Sequence, residues 1–197
     1  CARLHRRRVK LVLRWSGVVV LILILATFWF REELRDFAVD DTRYADEIRV
    51  AANRNGLDPQ FVRAVVFQES RFDPFARGRA GEVGLMQVLP SGAVAEWERV
   101  TGRKKPGTNA LYDPAVNLEI GCWYLARGMR KYAAYTNVHE LALARYNAGE
   151  SRSEKWKPER KDGDVIGRIT IPSTKEYVAK IMSRYRAYRE AEKSRGR

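Results

Sequence analysis

Residues 65–88 read VVFQESRFDPFARGRAGEVGLMQV, and the fold is decided in this stretch. An apolar run ends in Gln68-Glu69-Ser70, and a glycine-rich segment follows. Phe61, Val62, Val65 and Val66 recur at helical spacing, with Glu69 on the same side. The spacing predicts a helix whose buried face ends in a carboxylate. Burying a charge is costly, so a carboxyl placed there holds its proton to higher pH. A raised pKa suits a general acid. A glutamate at a helix end is ordinarily a solvated surface residue, so the rest of the chain has to decide.

Outward from this stretch, the chain is punctuated as helices. Asp41 or Thr42 caps a helix that Asn55-Gly56 ends. Asp58-Pro59 opens the helix carrying Glu69, with proline at its first position, and Asp73-Pro74 stops it. Residues 75–89 read as irregular. Ser91 caps a helix to Thr101, and GRKKPGTN at 102–109 is a basic surface loop. Asp113-Pro114 begins a long helix to Tyr132. Another covers 138–148, and Gly149 terminates it. Residues 150–172 read as an exposed, charged loop, and Thr174 caps a final helix to Ala191. No alternating run is long enough for a sheet, and there is no internal repeat. The expectation is one all-α domain over 43–191, with a basic tail at 192–197. A length of 197 residues allows one domain of ordinary size.

The N-terminus reads as a membrane anchor. Residues 15–30, WSGVVVLILILATFWF, carry no charge. If Arg14 snorkels, the span reaches back to Leu11, about enough to cross a hydrocarbon core. Trp15 and Phe28-Trp29-Phe30 fall where interfacial aromatics belong. Six cations and no acid lie in residues 1–14, ahead of the span. The positive-inside rule then keeps this flank cytoplasmic and exports residues 31–197, with 31–42 as a linker. A cleaved signal peptide is the rival reading, but the run ends in bulky aromatics without a small-x-small site. A buried core helix is the third reading, disfavoured by the basic cluster beside so uniform a run.

Cys122 sits in the apolar context NLEIGCWYL and reads as a buried small hydrophobe rather than a nucleophile. His5 and His139 have no Cys or His companions at zinc-type spacing, so no metal or other cofactor is expected.

Taken in order, several short motifs resemble one family. They are Glu69-Ser70; Gly84-Leu85-Met86-Gln87 with Pro90; Asp113-Pro114 with Asn117, Gly121 and Tyr124-Leu125; Tyr146-Asn147-Ala148-Gly149; and Ile171-Pro172 with Tyr177-Val178. This succession is similar to that of the lytic transglycosylases, relatives of goose-type lysozyme. The resemblance covers about residues 43–190. It implies a helical lysozyme-like fold and a peptidoglycan-cleaving enzyme. Glu69 would be the single catalytic acid, later acting as base, and Tyr146 would turn its hydroxyl toward it. Ser70 would orient substrate or catalytic groups, and Met86 and Gln87 would contact the sugar in the cleft. Asn147 would shape the turn beside substrate, and Tyr177 would close the cleft from the last helix. The resemblance also implies the chemistry: cleavage of the MurNAc-GlcNAc β-1,4 bond by intramolecular transglycosylation, leaving a 1,6-anhydromuramyl end.

One position departs from the family pattern. Glu82 stands where a small residue is usual, and the preceding Ala76-Arg77-Gly78-Arg79 is more basic than the common form. Glu82 is either a solvated loop acid or a second cleft carboxylate, which leaves hydrolysis open as an outcome. The net charge of +13 divides into +6 over residues 1–30 and +7 over residues 31–197. No recognised nucleic-acid motif accompanies it. A basic face suits an anionic wall and membrane surface, so the expected partners are glycan strands and the membrane. A catalytically dead wall-binding scaffold remains the alternative of a different class.

Overall fold

The structure, a computed structural model, describes residues 39–195 together with positions 20, 27 and 36. The expected anchor at 15–30 and its basic flank fall outside the described residues. Among the described residues, no helix is long and apolar enough to cross a membrane. Residues 41–197 form a compact unit, described here by itself.

Seven α-helices are described in this unit: α1 (Ala45–Arg54), α2 (Pro59–Ser70), α3 (Ala95–Thr101), α4 (Pro114–Lys131), α5 (Val138–Ala148), α6 (Glu150–Trp156) and α7 (Pro172–Arg195). Among the described residues, its β pairings are the isolated bridges Arg77–Val83 and Val83–Val88. The all-α expectation holds for this unit. α5 packs between α4 and α7, α2 lies along α7, and α1 spans α2 and α4.

Local chemistry explains where the helices begin. Asp58 accepts from the Gln60 N–H at 2.8 Å, and Asp113 accepts from Ala115 and Val116 at 2.9 and 3.1 Å. Each satisfies N–H groups that the first turn leaves open, and each precedes a proline at N1. Phe61, Val62, Val65 and Val66 of α2 are fully buried, each contributing ~1.5–3 kcal/mol. Gly128 lets α4 and α5 approach, since a Cβ there would lie 3.2 Å from Ala142. Arg145 is buried and salvaged by Glu150 at 3.0 Å and Glu96 at 3.5 Å.

Four expectations need correction. α1 starts at Ala45 without a side-chain cap, after Tyr44 in the left-handed region. Asp41 is instead drawn off by Arg63 at 2.7 Å and the Tyr188 hydroxyl at 2.8 Å. Ser91 caps nothing, because it lies inside a π-helical turn, Pro90–Val94, that runs directly into α3. Residues 150–172 are not all loop: α6 forms because Ser153 and Trp156, three apart, are buried together. Thr174 lies inside α7, and its hydroxyl donates to Asn147 Oδ1 at 2.7 Å.

Candidate active site

Glu69 is the penultimate residue of α2. The helix stops sharply because Arg71 and Phe72 both take left-handed backbone, φ 51 and 64. Each costs roughly 1–2 kcal/mol for a residue with a Cβ. Burial of Phe72 edge-on against Phe67, centroids 6.3 Å apart, offsets that strain. The Ser70 hydroxyl donates to the Leu85 carbonyl at 2.9 Å and ties the helix end to the 75–89 loop. Ser70 therefore acts here on the loop backbone.

A second clamp on the loop is an asparagine. Asn117, fully buried on α4, accepts from the Met86 N–H and donates to the Val83 and Leu111 carbonyls, each at 2.8 Å. Gly84 is required beside it: its φ is 77, and a Cβ there would lie 2.3 Å from Asn117 Nδ2. Met86, expected to contact sugar, is fully buried instead. It fills the notch left by Gly121, where a Cβ would meet its sulfur at 2.5 Å, and it touches Cys122. Gln87, at φ 45, donates to the Ala76 and Gly84 carbonyls at 3.1 and 2.9 Å and is only partly buried.

Two tyrosines converge on this end of α2, and the one that hydrogen-bonds Glu69 is not the one expected to. Tyr177 of α7 donates its hydroxyl to Glu69 Oε1 at 2.5 Å. Tyr146 of α5, expected to do so, donates to the Met86 carbonyl at 2.7 Å. The buried carbonyl beside it accepts its hydrogen bond. Tyr146 remains close enough for Glu69's charge, after burial, to hold its phenol well above the ordinary range. Tyr177 is held up by the same two causes. Both phenols are therefore proton-holding donors at neutral pH.

Burial pushes the Glu69 carboxyl up from its ordinary 4.5 to about 7. The Tyr177 hydrogen bond opposes that rise and the charge of Glu82 adds to it. A carboxyl balanced near neutrality can give a proton and take one back. Glu82 is half-buried, and its Oε2 accepts from the Ala80 N–H at 2.9 Å. The same oxygen lies 2.2 Å from where a Cβ at position 78 would stand, so Gly78 makes room for it. Asn147 faces Thr174 and pins α5 to α7. Cys122 is buried, with its thiol held far above the usual range. Among the described residues, no group of three or more metal-ligating side chains comes together.

Asn117 was legible only as a motif letter, and its function as the loop's clamp was missed. The available signal was a lone amide among Leu118, Ile120 and Gly121 on the core side of a helix. Which tyrosine meets Glu69 had no sequence signal, because both sit on apolar helix faces.

Comparison with known proteins gives a family and a fold. The Transglycosylase SLT domain family matches residues 46–166. Membrane-bound lytic murein transglycosylase E of Buchnera aphidicola is 29% identical over 141 residues, covering 68% of this chain and 64% of that protein. An inactive glutamate-to-glutamine variant of the lytic transglycosylase Slt from Pseudomonas aeruginosa superposes with TM-score 0.68 at 28% identity. It covers 77% of this chain and 25% of that one. The soluble lytic transglycosylase of Escherichia coli gives TM-score 0.69 at 22% identity over 85% of this chain and 30% of that one, a likeness of fold. The chain thus spans under two thirds of the length of the relatives it matches, and its unit has their all-helical lysozyme-like fold.

Proposed function

The chain belongs to the Transglycosylase SLT domain family, and from that premise we propose that it cleaves the MurNAc-GlcNAc β-1,4 bond of peptidoglycan by intramolecular transglycosylation. The observation that carries the reading is Glu69, a half-buried helix-end carboxyl raised to about 7 by desolvation and facing one phenol. Protonated Glu69 gives its proton to the glycosidic oxygen as the bond to C1 breaks. The substrate's own N-acetyl group stabilises C1. Ionised Glu69 then takes the proton of the sugar's 6-hydroxyl, and that oxygen attacks C1. A 1,6-anhydromuramyl end results, and no water is consumed. One carboxylate suffices, whereas a retaining hydrolase needs a nucleophile and an inverting one a base holding water.

Tyr177 is a positioning residue in this reading. Its hydrogen bond favours the ionised form, restrains the rise in pKa and fixes which oxygen stays free. Tyr146, Asn117 and Ser70 hold the loop that carries Gln87, the candidate sugar contact. Residues 15–30 (11–30 with a snorkelling Arg14) would anchor the domain on the outer side of the bacterial cell membrane. The name of the Buchnera relative is consistent with that. Hydrolysis by a Glu69–Glu82 pair is the second reading, favoured by the charge that Glu82 exerts on Glu69. Mass spectrometry of products from isolated sacculi separates the two, because anhydro and reducing ends differ by one water. Anhydro ends are expected, and exclusively reducing ends would overturn the proposal. Sacculi that sediment with the protein but release nothing would leave the scaffold reading.

A further inference from the structure

Arg145 precedes Tyr146 on α5, and among the described residues it is the one charged side chain that is buried, 3% exposed. Desolvating a guanidinium is costly, and an apolar side chain of similar volume often fills such a position without loss of stability. The contacts of Arg145 say what a charge gains there. Its Nε donates to Glu150 of α6 at 3.0 Å, and its Nη2 to Glu96 of α3 at 3.5 Å. Its Nη1 donates to the Tyr124 carbonyl of α4 at 3.4 Å, and the guanidinium lies 4.5 Å from the centre of the Tyr124 ring. One flat fork thus meets α3, α4 and α6, a geometry that lysine does not copy.

Two routes lead from this fork to the 75–89 loop. The first runs through Tyr124, whose ring packs edge-on at 5.4 Å against Tyr146, the phenol that donates to the Met86 carbonyl at 2.7 Å. The second runs through Glu96 to α3, which the chain enters from the loop by way of the Pro90–Val94 turn. Gln87, the candidate sugar contact, lies between the two points of attachment. Neither carboxylate relies on Arg145 alone: Glu96 also pairs with Arg127 at 2.9 Å, and Glu150 with Lys131 at 2.8 Å. Without Arg145 each acid would still have its own cation. What Arg145 adds is therefore geometry rather than charge balance.

We propose that Arg145 is a positioning residue for the reaction, fastening residues 86–96 at both ends and so setting Gln87, and the sugar it contacts, against Glu69. The inference rests on the transglycosylase reading and adds to it a residue that acts through Tyr146 and Glu96.

The test is Arg145→Met in the full chain, assayed on soluble uncrosslinked glycan strands beside a melting curve. Methionine fills the space and keeps an apolar contact with Tyr124, so the variant should melt within a few degrees of wild type. Its kcat should fall by about tenfold or more and its KM change by less than about threefold, because a misplaced bond costs rate more than binding. The pH–rate profile should stay in place, since Glu69 is governed by its burial, Tyr177 and Glu82. Glu96→Gln keeps an oxygen to accept from both arginines and should lower kcat by about threefold. Combined with Arg145→Met it should cost no more than Arg145→Met alone, because both cut the same path. Wild-type kcat in Arg145→Met at a retained melting point would overturn the proposal. So would a loss confined to KM, or a displaced pH–rate profile, which would make Arg145 an electrostatic influence on the acid. If Arg145→Met does not fold, wild-type kcat in Glu96→Gln overturns the proposal in its place. Absence of anhydro ends from the wild-type products would instead defeat the transglycosylase reading, so the two failures are distinguishable.

Discussion

The end of α2 and the 75–89 loop each present a glutamate to the site, and the protein treats the two in opposite ways. Glu69 stands on a helix packed along α7, in surroundings dry enough to lift its carboxyl to about 7. Its named hydrogen-bond donor is a phenol rather than a cation. Glu82, half-buried like Glu69, stands on a loop, its charge met by a backbone N–H. The loop is held by polar clamps, Asn117, Ser70 and Tyr146, that fix backbone without excluding water from its outer face. Helix packing makes an acid that holds its proton, and clamping makes a carboxylate that holds its place. General acid catalysis needs the first, and recognition can use the second.

The largest effect should come from removing the difference at its source. Glu69→Gln keeps size and helix compatibility but cannot transfer a proton. Turnover on sacculi should fall at least about a hundredfold. Stability should move the other way. Below about pH 4.5 the folded and unfolded chains both hold this proton, and its burial carries no charge penalty. Between there and about pH 7 the unfolded chain ionises while the folded one does not, so stability falls as pH rises. The Gln variant escapes this fall. At pH 8 it should be the more stable protein by up to ~3 kcal/mol, and at pH 4 the two should melt together. Wild-type turnover in this variant, or a stability gap independent of pH, would separate Glu69 from the acid's role.

The loop side breaks at Asn117. Asn117→Ala leaves the Met86 N–H and the Leu111 carbonyl without partners inside the core, and leaves the Val83 carbonyl only the Val88 N–H. A loss of roughly 2–4 kcal/mol is expected, from about 1–3 kcal/mol for each orphaned group with partial relaxation. Urea denaturation reads it directly, and an unchanged midpoint would mean that the loop holds itself.

These two sites also mark how far the sequence could be read. The Asp-Pro caps, the apolar face of α2 and the glycine stop after α5 are local signals, and each produced the element expected. α6 escaped because its surface is charged and only Ser153 and Trp156 turn inward, too few to register as a period. Asp41 and Thr174 look like caps, but tertiary partners claimed their oxygens. Glu69 was legible because an acid on an apolar face is a conflict visible in one dimension. Met86 and Tyr146 were not, because their placement depends on Gly121 and on a carbonyl that only the folded loop presents.

The two tyrosines give a smaller and more diagnostic effect. Tyr177→Phe removes a donor that favours ionised Glu69, so the carboxyl should titrate at still higher pH. Turnover at neutral pH should drop by about tenfold, the low end for a hydrogen bond to a charged group, with the pH–rate profile displaced toward alkali. Tyr146→Phe frees only the Met86 carbonyl. It should cost about 1 kcal/mol of stability and leave the profile where it is. If Tyr146→Phe moved the profile and Tyr177→Phe did not, the hydroxyls would have to be reassigned.

The smallest effect is expected at Glu82, and it bears most directly on the comparison. Glu82→Gln keeps an oxygen to accept from the Ala80 N–H, so the loop should stay in place. What is lost is a negative charge beside Glu69. That charge helps hold the Glu69 proton, so its removal should let Glu69 ionise at slightly lower pH. If the two glutamates play the different parts their surroundings suggest, turnover should fall by less than about tenfold, well short of losing a general acid or base. Anhydro ends should remain the product, since no water was being held. A second carboxylate acting as base would behave otherwise. Loss of Glu82 would then collapse turnover about as far as loss of Glu69 does, and reducing ends would disappear from the wild-type products when it was replaced. Rate and product mass measured on this one variant decide between an acid with a charged neighbour and a pair of acids sharing a reaction.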